Sequence, residues 1–224
     1  MNGLKRTLYR GFVLSIKVYQ RLFLDLCVWG RDRIPKGPKI FVTNHITCTD
    51  GFWVLPIFAE FVHIIAGPPY HYRLFAAILN SFEQINAMPA NRKNVVAEAA
   101  AYLAKGESVF ICPEGDMQEL FQLGRFYPGV GRIYRQARVP IVPIALVAPK
   151  RCMHESPGIN TVVDGRVYRM LNVFRGPYCI NVGEPLAPEC VDGSDEEQDE
   201  RITALVKSRI EQLMDDVRTT KFWL

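Results

Sequence analysis

No window of this 224-residue chain reaches the roughly 18 consecutive uncharged apolar residues that a membrane-crossing helix needs. Because 49% of the residues are hydrophobic, that apolar content must go into a core and onto amphipathic faces. Metal-binding patterns are missing too. There is no Cys-x2-Cys pair, and no second histidine stands at ligand spacing, since His63, His71 and His154 are scattered. Six cysteines at irregular spacing make no disulfide framework, so a reducing, cytosol-facing environment is expected. The nucleophile elbow Gly-x-Ser-x-Gly is absent, which argues against a serine hydrolase. Neither a dinucleotide fingerprint nor a phosphate-loop lysine motif occurs. A net charge of +4 is too small to argue for nucleic acid as a partner. Lys17, Arg21 and Asp25 interrupt the first apolar stretch and no small-residue cleavage site follows, so a signal peptide is not expected.

What is present reads as one folded domain with elaborations. Short apolar runs alternate with helical patterns, which predicts an α/β fold: a mixed, mainly parallel central sheet flanked by helices. Strands are expected at residues 39–42, 62–66, 85–88, 108–112 and 140–147, and helices from the 50s to about Glu60, at 72–80, 93–104 and 201–218. Asp164-Gly165 between two β-rich runs predicts a hairpin, with residues 178–182 as its further partner. The closing helix should bury Ile202, Leu205, Ile210 and Leu213, and the acidic stretch 192–200 reads as a solvated linker or helix start. At the other end, Leu4, Leu8, Phe12, Ile16, Tyr19, Leu22, Phe23 and Leu26 fall within an arc of roughly 120° on a helix. Arg6, Arg10, Lys17 and Arg21 cluster opposite. A basic stripe facing a large apolar face suits a helix lying in a membrane interface, and equally a helix packed on its own domain. Val13 and Val18 interrupt the stripe and allow a break into two helices.

One segment points to chemistry. In Asn44-His45-Ile46-Thr47-Cys48-Thr49-Asp50, a histidine precedes an aspartate by five residues. Such a pair can form a general base whose imidazole is held by a carboxylate. On a continuous helix the two side chains would diverge by about 140°. They meet only if His45 lies in a loop and Asp50 just inside the next helix. Lys39-Ile40-Phe41-Val42 supplies a strand leading into that loop, and Thr47 and Thr49 are candidate N-caps. The pair alternatively reads as an isolated histidine and a helix-capping acid. A second strand ends in Pro113-Glu114-Gly115, bringing a carboxylate to a strand's carboxyl end. Gly115 permits a sharp turn there.

These blocks, with Ile85-Asn86-Ala87-Met88-Pro89-Ala90-Asn91-Arg92 and Val139-Pro140-Ile141-Val142-Pro143, come in order over residues 36–147. The chain thereby resembles the glycerolipid acyltransferase family, which includes the 1-acylglycerol-3-phosphate acyltransferases. The resemblance implies His45 as the base acting on an acceptor hydroxyl and Asp50 as its orienting partner. It implies Arg92 as a contact for the acceptor phosphate and Glu114 and Gly115 as part of the acceptor wall, with Glu114 contacting polar groups or supporting Arg92. Pro140 and Pro143 would shape the acyl-donor cleft, unless they merely mark an edge strand. No metal or bound cofactor is required, because acyl-CoA or an acyl carrier protein thioester serves as activated co-substrate. The expected partners are a lipid acceptor and a membrane surface.

One block departs from the pattern. After Gly115 the family commonly has a small hydroxyl residue and then arginine, whereas this chain has Asp116 and Met117. An added acid beside Glu114 would repel a phosphate unless one is neutralised. An acceptor lacking a phosphomonoester, a glycolipid or aminolipid, is therefore a second expectation. A thioesterase and a non-catalytic lipid binder are others. Cys48 and Cys112 inside the blocks are rival nucleophiles or metal ligands, read in the first instance as buried small hydrophobes. The expected division is an amphipathic interface segment at 1–30 and an acyltransferase domain at 31–224, peripheral on the cytosolic face of a membrane.

Overall fold

The computed structural model describes residues 3–115, 123–156, 161–163, 165–168, 170–189 and 192–220. In chain order the elements are α1 (Gly3–Phe23), β1 (Leu24–Trp29), β2 (Ile40–Thr43), α2 (Asp50–Val54), β3 (Val62–Ala66), α3 (Arg73–Ser81), β4 (Ile85–Asn86), α4 (Val95–Ala104) and β5 (Ser108–Ile111). There follow α5 (Gly129–Ala137), β6 (Ile141–Val147), β7 (His154–Glu155), β8 (Thr161–Val163), β9 (Arg166–Tyr168), β10 (Leu171–Asn172), β11 (Gly176–Val182) and α6 (Asp195–Arg218). Seven strands form the central sheet in the order β1-β11-β6-β2-β5-β3-β4. From β6 to β4 all neighbours are parallel, β11 is antiparallel to β6, and β1 is parallel to β11. The fold is α/β with a mixed, mainly parallel sheet flanked by helices.

Strand periodicity explains the layers. In β2, Ile40 and Val42 face one side and Phe41 the other; in β5, Val109 and Ile111 oppose Phe110. Successive side chains of a strand point to opposite faces, and both faces of a parallel sheet are covered. One face packs on α4, α5 and α6 through Ala99, Leu103, Val130, Ile133, Ile202 and Ile210. The other packs on α1, α2 and the turn after α2 through Ile16, Trp53, Val54, Leu55 and Ile57.

Several sequence expectations are corrected. The helix after Asp50 stops at Val54 and continues as a 3-10 turn at Leu55–Ile57, because Pro56 offers no amide to carry the helical hydrogen-bond ladder on. The hairpin at Gly165 forms from β8 and β9, yet residues 178–182 do not join it. They lie in β11, between β1 and β6, where Tyr178 and Ile180 enter the core. β6 is an interior strand, so Pro143 does not mark a sheet edge. In α6 the buried apolar positions are Ile202, Val206, Ile210, Leu213, Met214 and Val217, whereas Leu205 is exposed. The acidic stretch supplies the first turn of α6, closed by a capping box between Ser194 and Glu197. The tail 222–224 lies outside the described residues.

α1 is one continuous helix through Val13 and Val18, and Leu26 belongs to β1 instead. Its inward face carries Tyr9, Val13, Ile16, Tyr19 and Gln20. Tyr19 stacks on Trp53 at 5.3 Å, and the Gln20 amide donates to the Trp53 carbonyl at 2.8 Å. Much of the predicted apolar arc is nevertheless uncovered: Leu4, Leu8 and Leu22 are 71%, 57% and 69% exposed. The helix thus has three faces, one on the core, one basic and one apolar and open to solvent.

Candidate active site

The parallel strands end along one edge of the sheet, and the loops leaving β2 and β5 meet there. Asn44 clamps the β2 loop to β6: its amide donates to the Leu146 carbonyl at 2.9 Å and accepts from the Leu146 N–H at 2.8 Å. His45 follows, with Nδ1 3.0 Å from Asp50 Oδ2. The N–H groups of Ile46 and Thr47 donate to that same oxygen at 2.7 and 2.8 Å. The other oxygen of Asp50 accepts the hydroxyls of Thr47 at 2.6 Å and Tyr178 at 2.9 Å. Asp50 is fully buried, so these donors replace the water it has lost. Because the carboxylate only accepts, Nδ1 of His45 carries the hydrogen of their bond and Nε2 is the basic nitrogen of the ring.

The expected loop-then-helix arrangement is present, while its capping differs. Thr49 occupies the N-cap position of α2 without a side-chain cap bond. Its hydroxyl instead lies 2.9 Å from that of Thr47 and accepts the Val173 N–H at 3.2 Å. Thr47 is turned onto Asp50. Asp50 therefore organises the loop behind it rather than the helix ahead.

Glu114 supports the loop from the neighbouring strand. One of its oxygens accepts the His45 N–H at 2.9 Å and the other accepts the Gly124 N–H at 2.7 Å. These partners are main-chain amides, not Arg92. Burial pushes the Glu114 carboxyl above its ordinary 4.5, while the two amides oppose that shift. Gly115 takes φ +65, a left-handed conformation that turns the chain away from the strand. Asp116 and Met117 lie outside the described residues. Arg92 sits in the 3-10 turn Pro89–Asn94 after β4, exposed and on the same sheet edge. Three strand spacings separate β4 from β2, roughly 14 Å at ~4.8 Å each. The structure thus joins His45, Asp50 and Glu114, seats Gly115 beside them, and leaves Arg92 on the flank.

The rival cysteines fit a packing role. Burial, with the carboxylates of Asp50 and Glu114, pushes the Cys112 thiol well up, away from the thiolate a nucleophile needs. Cys48 Sγ lies 3.3 Å from Met170 Sδ. Among the described residues no cluster of His, Cys, Asp and Glu is arranged to hold a metal. Sequence reasoning missed Asn44 and Tyr178. Asn44 stood inside the motif with no role assigned. Tyr178 is 128 residues from Asp50 and gave no signal beyond a strand.

The acyltransferase family model matches residues 25–147, just over half of the sequence, and the chain belongs to the acyltransferase family. Within that class it is 26% identical over 161 residues to the chloroplastic 1-acyl-sn-glycerol-3-phosphate acyltransferase BAT2 of Brassica napus, a match covering 68% of this chain and 46% of that protein. It is 25% identical over 144 residues to the chloroplastic 1-acyl-sn-glycerol-3-phosphate acyltransferase LPAT1 of Arabidopsis thaliana, covering 62% of this chain and 40% of that one. The chain spans less than half the length of these two relatives. Its fold is similar to the crystal structure of the 1-acyl-sn-glycerophosphate (LPA) acyltransferase PlsC from Thermotoga maritima. The TM-score is 0.66 at 18% identity, covering 94% of this chain and 80% of that one.

Proposed function

We propose that this chain transfers a fatty acyl group from a thioester of coenzyme A or acyl carrier protein to a hydroxyl of a lysophospholipid or glycerol-phosphate-type lipid. The observation that supports this most is His45 Nδ1 lying 3.0 Å from a buried aspartate whose remaining capacity is filled by amides and hydroxyls. Nε2 of His45 takes the acceptor O–H proton as the oxygen attacks the thioester carbonyl. The tetrahedral adduct collapses, the C–S bond breaks, and the imidazolium returns its proton to the departing thiolate. The products are an oxygen ester and a free thiol. Asp50 orients the ring and stabilises its charged form; a base so placed contributes typically ~10²–10⁴-fold in rate. Glu114 holds the His45 main chain, Gly115 shapes the turn beside it, and Arg92 on the flank contacts the acceptor's anionic group.

By role, residues 1–30 form a membrane-interface segment and 31–224 the acyltransferase domain, with β1 tying the first to the sheet. No helix among the described residues is long and apolar enough to cross a membrane. The open apolar face of α1, bordered by Arg6, Arg10, Lys17 and Arg21, supports peripheral association with the cytosolic face of a membrane. One observation favours a second acceptor class: Asp116 and Met117 stand where the family carries a small hydroxyl and arginine, which suits a glycolipid or aminolipid without a phosphomonoester.

The test is incubation of the full chain with labelled acyl-CoA and acyl carrier protein thioesters and a total lipid extract, beside His45→Ala. A labelled lipid ester made only by the unsubstituted protein is the expected result, and its mass names the acceptor. Label released solely as fatty acid would replace this reading with a thioesterase. No product at all would leave a lipid binder.

A further inference from the structure

The edge that carries His45 has a second basic flank. β6 ends beside β2 on this edge, and β11, antiparallel to β6, begins there at Gly176. Leu22 and Phe23 of α1 close over the same place, and with Arg151, Cys152, His154, Arg175 and Gly176 they enclose an open cleft of about 500 Å³. Two arginines and a histidine line it, and among the described residues no acid does. Among the described residues neither arginine has a carboxylate partner. The walls are fixed. The Tyr19 hydroxyl donates to the Phe174 carbonyl at 2.9 Å, which ties α1 to the residue before Arg175. Gly176 has φ +91, and a Cβ there would lie 3.0 Å from Cys152 Sγ, so glycine keeps that wall low.

Guanidinium forks match phosphate oxygens, and an acid-free lining leaves their charge available. The rim adds a second chemistry: Leu22 and Phe23 are 69% and 51% exposed and continue the open apolar face of α1. The cleft lies two strand spacings from β2, roughly 10 Å, on the side away from Arg92. We propose that this cleft binds a phosphoryl group, that of an anionic lipid headgroup whose chains lie along α1. The lipid source rests on the membrane reading above; the anion chemistry of the cleft does not.

The test compares the full chain with Arg151→Glu/Arg175→Glu and with the charge-matched Lys36→Glu/Lys105→Glu. Lys36 and Lys105 are exposed and precede β2 and β5 at the opposite sheet edge. Flotation is measured with vesicles of phosphatidylcholine alone and with added phosphatidic acid, and inorganic phosphate is titrated calorimetrically without vesicles. The cleft variant should lose the preference for anionic vesicles by roughly tenfold, while binding to neutral vesicles and the matched control change little. Equal losses in both variants overturn the proposal. If the preference is unchanged but phosphate binding disappears in the cleft variant alone, the cleft takes free phosphate and the lipid source is rejected. Failure of the unsubstituted protein to float defeats the membrane reading, and the phosphate titration then decides the cleft. No difference between unsubstituted protein and cleft variant in either arm overturns it. Should the double variant unfold, Arg175→Gln answers the same questions.

Discussion

At the scale of single residues, the decisive feature is that Asp50 receives and never gives. Asp50→Asn keeps the shape but turns one acceptor into a donor, facing either the amides of Ile46 and Thr47 or the hydroxyls of Thr47 and Tyr178. A buried unpaired donor costs about 1–3 kcal/mol, and an amide nitrogen facing His45 favours the wrong tautomer. We expect kcat for acyl transfer to fall at least ~10²-fold with a folded protein remaining, checked by steady-state rates beside circular dichroism. A kcat within about twofold of the unsubstituted protein would remove Asp50 from the mechanism. Glu114 makes a prediction in pH. Its carboxyl titrates above 4.5 in the folded chain because burial penalises the anion, so the folded state binds the extra proton. The stability it contributes is full below the unfolded value and is lost as pH rises through the raised one. The stability difference between unsubstituted protein and Glu114→Gln, from urea unfolding, should therefore be larger near about pH 4 than near about pH 7. A difference that grows with pH contradicts the assignment of burial as the leading cause.

Elements were legible in the sequence wherever the cause was local. Ile40–Thr43, Ser108–Ile111 and Ile141–Val147 are buried on both faces and read as continuous apolar runs. Pairing of β11 with β1 was not legible, since it joins the two ends of the chain and depends on no nearby turn. The exposed Leu205 escaped as well, because a helical arc does not say which part of it the neighbour covers. That neighbour is α5, and the contact is close: a Cβ on Gly131 would run into the Asp199 backbone of α6. Arg135 fastens the same place, its Nε 2.7 Å from Asp199 Oδ1. Gly131→Ala should cost about 1–3 kcal/mol by forcing the helices apart, despite alanine's better helix propensity. Thermal unfolding measures it, and an unchanged or raised midpoint would mean that α6 shifts freely. On α1 the opposite holds, because Leu4 and Leu8 are exposed. Leu4→Asp/Leu8→Asp should leave thermal stability nearly unchanged and weaken flotation with liposomes at least tenfold, given about 1.5–3 kcal/mol for each large apolar side chain buried. Undiminished flotation would assign this face to something other than lipid.

Across the whole molecule α1 and the candidate site share one support. Tyr19 and Gln20 of α1 hold Trp53 from outside, and the Trp53 indole donates to the Val173 carbonyl at 2.9 Å. Val173 in turn binds Thr49, the residue before Asp50, and Tyr178 of β11 completes the aspartate's shell. The sequence showed His45 and Asp50 because their spacing forces a loop followed by a helix. It hid this frame because its members come from residues 19–20, 49–53 and 173–178, and no local pattern shows that these three segments meet. The coupling separates two kinds of damage. Charged substitutions on the open face of α1 should reduce turnover only for acceptors presented in a bilayer and spare a short-chain, water-dispersed acceptor. Removing residues 1–23 takes away the inward face too, uncovering Trp53 and leaving its carbonyl without the Gln20 amide. Loss of the buried Ile16 and of the Tyr19 stack should cost at least ~2 kcal/mol, and turnover should fall for both acceptor forms. Parallel assays of both proteins on both acceptor forms, with unfolding midpoints, make the comparison. A truncated chain that turns over the dispersed acceptor at full rate would show that the frame around Asp50 stands without α1, and the interface helix would then act by tethering alone.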